Sequence, residues 1–203
     1  RKYLTDRIQG MLRKLPQGSA GSLDVEAPKF RNAKTLLFLD KPGRTQAQLF
    51  VGAPGVSFHD KDYFAMLVAN HVFGGSSFSA RLMREVREKR GWSYGCYSWY
   101  RSGRRPLYFG MHAVPSNKDA MPALKLMISL FQSYAKSGIS KEEFRFAKQS
   151  LVAQSAFLQD TMRKRLENKV TEAVLELPSG FYDKYQKRLA ALTRPGAGSD
   201  PSP

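Results

Sequence analysis

The residues best suited to chemistry lie between Gly74 and Tyr94, in the string GGSSFSARLMREVREKRGWSY. Arg81 with Glu85 and Arg84 with Glu88 stand four apart, the spacing at which opposite charges on one helix face satisfy each other. Arg87 differs, because its neighbours at three and four residues are Met83, Arg84, Arg90 and Gly91 and none is a carboxylate. Gly91 turns the chain so that Tyr94, seven residues after Arg87, enters the next strand with its hydroxyl able to approach the guanidinium. A guanidinium and a phenol presented together can grip a peptide carbonyl or a carboxylate through charge-assisted hydrogen bonds. The same residues also fit a plainer arrangement, in which Arg87 meets an acid elsewhere in the domain and Tyr94 is core. Spacing alone leaves both open.

Other reactive groups lack the company their chemistry needs. A hydrolytic zinc requires two or three His or carboxylate ligands on one face, usually two His on one helix with a Glu as base. The histidines here, His59, His71 and His112, are isolated, and no H-E-x-x-H or H-x-x-E-H string occurs. They read as turn, helix-packing and strand residues, so the metal-site expectation is none. Cys96 is the single cysteine, which excludes an internal disulfide and any Cys-based zinc cage. Placed among aromatics at strand spacing, it reads as a buried, inert thiol. Serine nucleophile elbows, a P-loop and a dinucleotide fingerprint are missing, and Gly74-Gly75 has no following Lys-Ser or Lys-Thr to hold phosphate.

The elements that position these residues follow from periodicity and punctuation. Leu4, Ile8, Met11, Leu12 and Leu15 recur at helical spacing and stop at Pro16, before a flexible Gly/Ser-rich stretch at 17–22. Thr35–Leu39 and Ala47–Val51 read as strands that could pair, flanking a Pro42-Gly43 turn. Asp60 can cap a helix with Phe64, Leu67, Val68 and Val72 inward, ended by Gly74-Gly75. A second helix runs from Ser79 to about Arg90 with Leu82, Met83 and Val86 inward and Gly91 at its end. Tyr94–Tyr100 and Leu107–Val114 read as a hairpin of aromatic-rich strands. Ser116 with Asp119 and Ser140 with Glu143 have capping-box spacing and open helices over 118–136 and 141–159, with further helices over 161–176 and 181–192. Strand pairs followed by long helices, without βαβ alternation, give an α+β fold: an antiparallel β-sheet packed against several α-helices.

With these elements in place, the 74–94 string resembles the second, non-catalytic half of the pitrilysin/insulinase-like zinc peptidases, the group that includes the mitochondrial processing peptidase. The likeness rests on Gly74-Gly75, on Ser79-Ala80-Arg81-Leu82, and on Arg87-Glu88-Lys89-Arg90-Gly91-Trp92-Ser93-Tyr94. Upstream, Asp40-Lys41-Pro42-Gly43-Arg44-Thr45-Gln46-Ala47-Gln48 also looks like that family's approach to its second strand. The resemblance implies two homologous α+β halves closing around a peptide chamber. One half carries His-x-x-Glu-His and zinc, and the other carries an Arg and a Tyr seven apart that reach the substrate at the metal. It implies that Arg87 and Tyr94 make substrate and transition-state contacts and that Gly74, Gly75, Ser76 and Phe78 bind substrate. It also implies a chain that holds no cofactor itself, with zinc in an HxxEH-bearing partner half, fused or separate, and peptides as substrates. The domains expected are 1–28 as the end of the preceding half and a linker, 29–192 as the inactive domain, and 193–203 as a disordered tail.

Composition bounds the partners. The 203 residues, 42% apolar and 12% aromatic, can bury a core, and 33 Lys and Arg against 17 Asp and Glu give a net charge of +16. That charge, with the clusters Arg101, Arg104, Arg105 and Arg163-Lys164-Arg165 and with Tyr97, Trp99 and Tyr100 close to one of them, raises a nucleic-acid-binding alternative, although charge runs are usually solvated and only non-specific binding is expected. A non-enzymatic scaffold of the same fold is the other alternative. No apolar run is long enough to span a membrane, and Arg1–Asp6 lacks the apolar core of a signal peptide, so the chain is expected to be soluble. It opens on Arg1, as a processed product or a piece of a longer chain would, which leaves the compartment open, the periplasm included.

Overall fold

The computed structural model describes residues 2–16, 18, 26, 29 and 34–194. The expected linker, Gly18 apart, and the tail from Pro195 lie outside the described residues. Near the start, α1 (Lys2–Leu12) carries its apolar residues exposed and buries none of them. Three strands follow among the helices: β1 (Leu49–Pro54), β2 (Ser93–Ser102) and β3 (Pro106–Pro115), joined in one antiparallel sheet of order β1-β3-β2. The helices α2 (Tyr63–Asn70), α3 (Arg81–Met83), α4 (Asn117–Ser137), α5 (Lys141–Ser155), α6 (Met162–Val174) and α7 (Tyr185–Ala190) complete an α+β fold.

Alternation along the strands divides the sheet into two faces. Phe109, Met111 and Ala113 of β3, with Cys96 of β2 and Leu49, Val51 and Ala53 of β1, pack against Phe73, Leu82, Val86 and the α4 residues Met127, Leu130 and Phe131. A second core gathers Tyr63, Phe64 and Val68 of α2 with Ala147 of α5, Leu189 of α7, Leu177 and Phe181. Cys96 is buried in the first core as a free thiol, and burial pushes its pKa up to about 12.

Several sequence expectations need correction. Thr35–Leu39 takes up no regular secondary structure, and Phe38 is 81% exposed. Strand propensity measures fit to a pleated, half-buried surface, and the neighbour this segment was expected to meet is engaged elsewhere. β1 pairs with β3, and the Gln46–Ser116 bridge extends that pairing upstream. The turn before β1 does form, with Gly43 at φ 77° and Arg44 N–H donating to the Lys41 carbonyl at 3.4 Å. Ser140 and Glu143 make the full reciprocal capping box, but the Ser116 hydroxyl donates to the Asp119 carboxylate at 2.6 Å and leaves the backbone uncapped.

Both helices around the glycine pair end in π-helical turns. α2 runs on through His71–Gly75, and α3 runs on through Arg84–Glu88. A π turn holds one residue more than an α turn and re-aims the side chains after it.

Candidate functional site

The second π turn and the strand after it bring Arg87 and Tyr94 together. Leu82, Met83 and Val86 are fully buried and fix the inner face of the turn, leaving Arg87 at its rim. The turn is closed by Gly91 N–H donating to the Arg87 carbonyl at 2.8 Å and Trp92 N–H donating to the Val86 carbonyl at 3.1 Å. These spans are one residue wider than in an α-helical glycine cap, as a π turn demands. Gly91 has φ 63°, which any other residue would adopt only under strain.

A bulge then aims Tyr94. Ser93 pairs with Pro115 but Cys96 pairs with Ala113, so β2 carries one extra residue between them. The Ser93 hydroxyl holds the bulge, donating to the Gly95 carbonyl at 2.7 Å and accepting from Val114 N–H at 2.9 Å. Tyr94 is thereby thrown outward, 84% exposed. It is not a core residue.

Arg87 lies over two rings, its guanidinium carbon 4.5 Å from the Tyr94 centroid and 5.0 Å from the Phe78 centroid. It contacts the face of the Tyr94 ring, whereas the sequence suggested the hydroxyl. Such stacking contributes about 0.5–1 kcal/mol at exposed sites and leaves the N–H edges of the guanidinium available. Among the described residues no carboxylate pairs with Arg87. Glu85, on the same turn, is already engaged: it accepts from Lys89 at 2.6 Å and from Arg90 at 2.9 Å, and the Lys89 bond first of all holds its carboxyl below the usual range. The expected Arg81–Glu85 and Arg84–Glu88 pairs are not formed as drawn from spacing. Arg81 instead reaches Glu143 at 2.6 Å, and Arg84 lies 3.9 Å from Glu85.

The glycine turn has a packing cause of its own. A Cβ on Gly74 would fall 2.5 Å from the Ser98 hydroxyl and 2.7 Å from its backbone nitrogen, so only glycine lets the turn lie against β2. Asn70 and Ser98 lock that approach: the Ser98 hydroxyl donates to Asn70 Oδ1 at 2.7 Å, and Asn70 Nδ2 donates to the Ser98 carbonyl at 3.3 Å. Neither residue stands out in the sequence, since their only signal is a contact 28 positions apart. Gly75 and Phe78 are exposed, and the half-buried Ser76 hydroxyl lies 2.9 Å from that of Ser79.

The histidines stay apart. His59 Nε2 donates to the Leu175 carbonyl at 3.0 Å, His112 Nε2 donates to Gln48 Oε1 at 2.6 Å, and His71 is buried in the first π turn, where burial lowers its pKa. Among the described residues no three His, Cys, Asp or Glu side chains converge. The described residues do not fit a catalytic zinc. An open cleft of about 500 Å³, lined by Phe58, Phe64, Phe181 and Arg188 among others, contains none of the candidate residues. The basic clusters are partly neutralised, Arg104 by Glu176, Arg163 by Glu167 and Lys164 by Asp160. Tyr100 packs against the core ring of Phe109 at 5.1 Å, away from the outward Tyr97.

Comparison with known proteins settles the family. The model of the peptidase M16 inactive domain matches residues 4–151. The chain belongs to this family. Among relatives of this M16 inactive domain, an uncharacterized zinc protease of Streptomyces coelicolor is 36% identical over 99 residues, covering 48% of this chain and 21% of that protein. An uncharacterized zinc protease of Bacillus subtilis is 27% identical over 155 residues, covering 74% of this chain and 36% of that protein. The crystal structure of a peptidase M16 inactive domain from Pseudomonas fluorescens has a TM-score of 0.67 at 28% identity, covering 74% of this chain and 36% of that one. A conserved protein from Enterococcus faecalis shares the fold with a TM-score of 0.74 at 19% identity, covering 94% of this chain and 45% of that one. This M16 inactive domain thus spans less than half the length of each of these relatives. The pitrilysin-like non-catalytic half expected from the 74–94 string is the domain matched, and no described helix is long and apolar enough to cross a membrane.

Proposed function

We propose that this chain is the substrate-gripping half of a zinc-dependent metalloendopeptidase, completing the active site of a separate or fused half that carries His-x-x-Glu-His. The observation that carries the reading is Arg87, a cation held over Phe78 and Tyr94 with no carboxylate partner among the described residues. Arg81, by contrast, is paired with an acid, Glu143.

In this reading Arg87 donates to the scissile carbonyl oxygen or to a neighbouring carbonyl of a bound peptide. The guanidinium lies over the Tyr94 ring, whose exposed hydroxyl supplies a second donor. Charge that grows on the carbonyl oxygen during attack is met by donors already in place, which is where preorganised groups gain most. Zinc, held by the partner half, would supply the activated water. The zinc-protease names of the S. coelicolor and B. subtilis relatives agree with this reading.

A scaffold role is the second reading, favoured by a Helicobacter pylori relative named a non-peptidase homolog, 24% identical over 182 residues, covering 86% of this chain and 40% of that protein. The test is reconstitution with the zinc-bearing half encoded beside or fused to this chain. The reading expects chelator-sensitive peptide cleavage from the two halves together and little from either alone. Equal cleavage by the zinc half alone would overturn it.

A further inference from the structure

Tyr134 on α4 belongs to both hydrophobic cores at once. Its ring stacks on Phe73 with centroids 5.0 Å apart, and its hydroxyl donates to the Ala69 carbonyl of α2 at 2.8 Å. The Arg81 guanidinium lies 5.0 Å from the same ring. Arg81 then makes a two-pronged bond to Glu143, Nε and an Nη donating to the two carboxylate oxygens at 2.7 and 2.6 Å, and it reaches the Gly138 carbonyl at 3.2 Å. Glu143 is itself fixed by the capping box of α5, accepting from Ser140 N–H at 2.9 Å.

The two ends of this strut are the two turns of the candidate site. Phe73 immediately precedes Gly74-Gly75, and Arg81 opens the helix whose π turn carries Arg87. We infer that Arg81, Tyr134 and Glu143 are positioning residues that set the glycine turn and Arg87 in fixed relation to each other. Building on the substrate-gripping reading, this names what holds the grip in register.

Apolar packing could not do this alone. Leu82, Met83 and Val86 are fully buried, but burial is non-directional and tolerates small slides along the sheet. A planar fork against a carboxylate specifies direction and distance together. The Arg81 and Glu143 side chains keep 23% and 29% of their exposure, so the pair contributes more to geometry than to stability.

The test uses the reconstituted two-half enzyme with Arg81→Lys, which keeps the charge and loses the fork, and Glu143→Gln, which keeps the shape and loses the charge. Misplacing a catalytic contact by a fraction of an ångström costs rate more than affinity, so kcat should fall about 10-fold or more in both, with KM within about twofold. Arg87→Ala is the control. If it leaves kcat unchanged, the substrate-gripping reading has failed; if it lowers kcat while Arg81→Lys and Glu143→Gln do not, the positioning role alone is overturned. A fall in kcat that only tracks the folded fraction also overturns it. In the isolated chain, hydrogen exchange at residues 84–90 should quicken in both variants while β2 and β3 are unchanged; unchanged exchange at 84–90 contradicts the inference.

Discussion

The Arg87 guanidinium carbon stands 4.5 Å from the centroid of the Tyr94 ring, and the two residues reach that contact from different elements, a π-helical turn and a bulged strand start. Because Tyr94 is 84% exposed, the contact carries little of the fold. Tyr94→Phe should therefore change stability by no more than about 0.5 kcal/mol, measured as an unchanged midpoint in urea unfolding. A large loss would mean that the phenol is structural.

Gly74 should behave in the opposite way. Its missing Cβ leaves room for Ser98, which is tied to Asn70 and to the sheet and cannot retreat. Gly74→Ala should cost about 1–3 kcal/mol through overpacking. Gly91→Ala meets open space but keeps φ 63°, so its cost is about 1–2 kcal/mol from backbone strain alone. Unfolding curves of both variants check the pair.

Much of this scaffold is legible in the sequence because each signal is local. The Ser140 and Glu143 capping box, the aromatic-rich β2–β3 hairpin and the seven-residue step from Arg87 to Tyr94 each depend on neighbours within a turn or a strand. The π turns escape notice because Phe64, Val68 and Val72 keep a helical stripe whether or not a residue is inserted after Asn70. Thr35–Leu39 has strand composition, yet composition cannot name a pairing partner. The Arg81–Glu143 contact joins residues 62 apart, and at i,i+4 the sequence offers Glu85 as a decoy. Phe78 is visible as an aromatic near the site but not as a ring beneath Arg87.

Glu143 gives the fold an acid-sensitive element. The hydrogen bond from Arg81 first of all lowers its pKa; partial burial pushes the other way, and the Ser140 N–H lowers it further. A depressed folded pKa means that the stabilisation is complete above the ordinary carboxylate value of 4.5 and is lost as pH falls through the depressed one. Glu143→Gln should therefore be less stable than the parent at pH 7 and converge with it in strong acid. Parallel unfolding curves across that range would show convergence; a constant gap would contradict the linkage.

Cys96 should be inert in the native protein, since burial raises its thiol to about 12 and leaves almost no thiolate at pH 8. A thiol reagent should label it only after denaturant is added. Rapid labelling of the folded chain would show that β2 opens.

The excess positive charge should produce weak, sequence-independent binding to polyanions that salt removes. Anisotropy titrations with two unrelated oligonucleotides should give equal, steeply salt-dependent affinities. Selective binding that survives physiological salt would favour the nucleic-acid reading.

The substrate-gripping role requires that Arg87 act on substrate. The most direct measurement is kcat of the reconstituted two-half enzyme carrying Arg87→Ala, beside the unfolding midpoint of the same variant. Loss of one preorganised donor predicts a fall of about 10²–10³-fold in kcat with an unchanged midpoint. Unchanged turnover would contradict the account and make the Arg87–Tyr94 contact a surface feature of a scaffold.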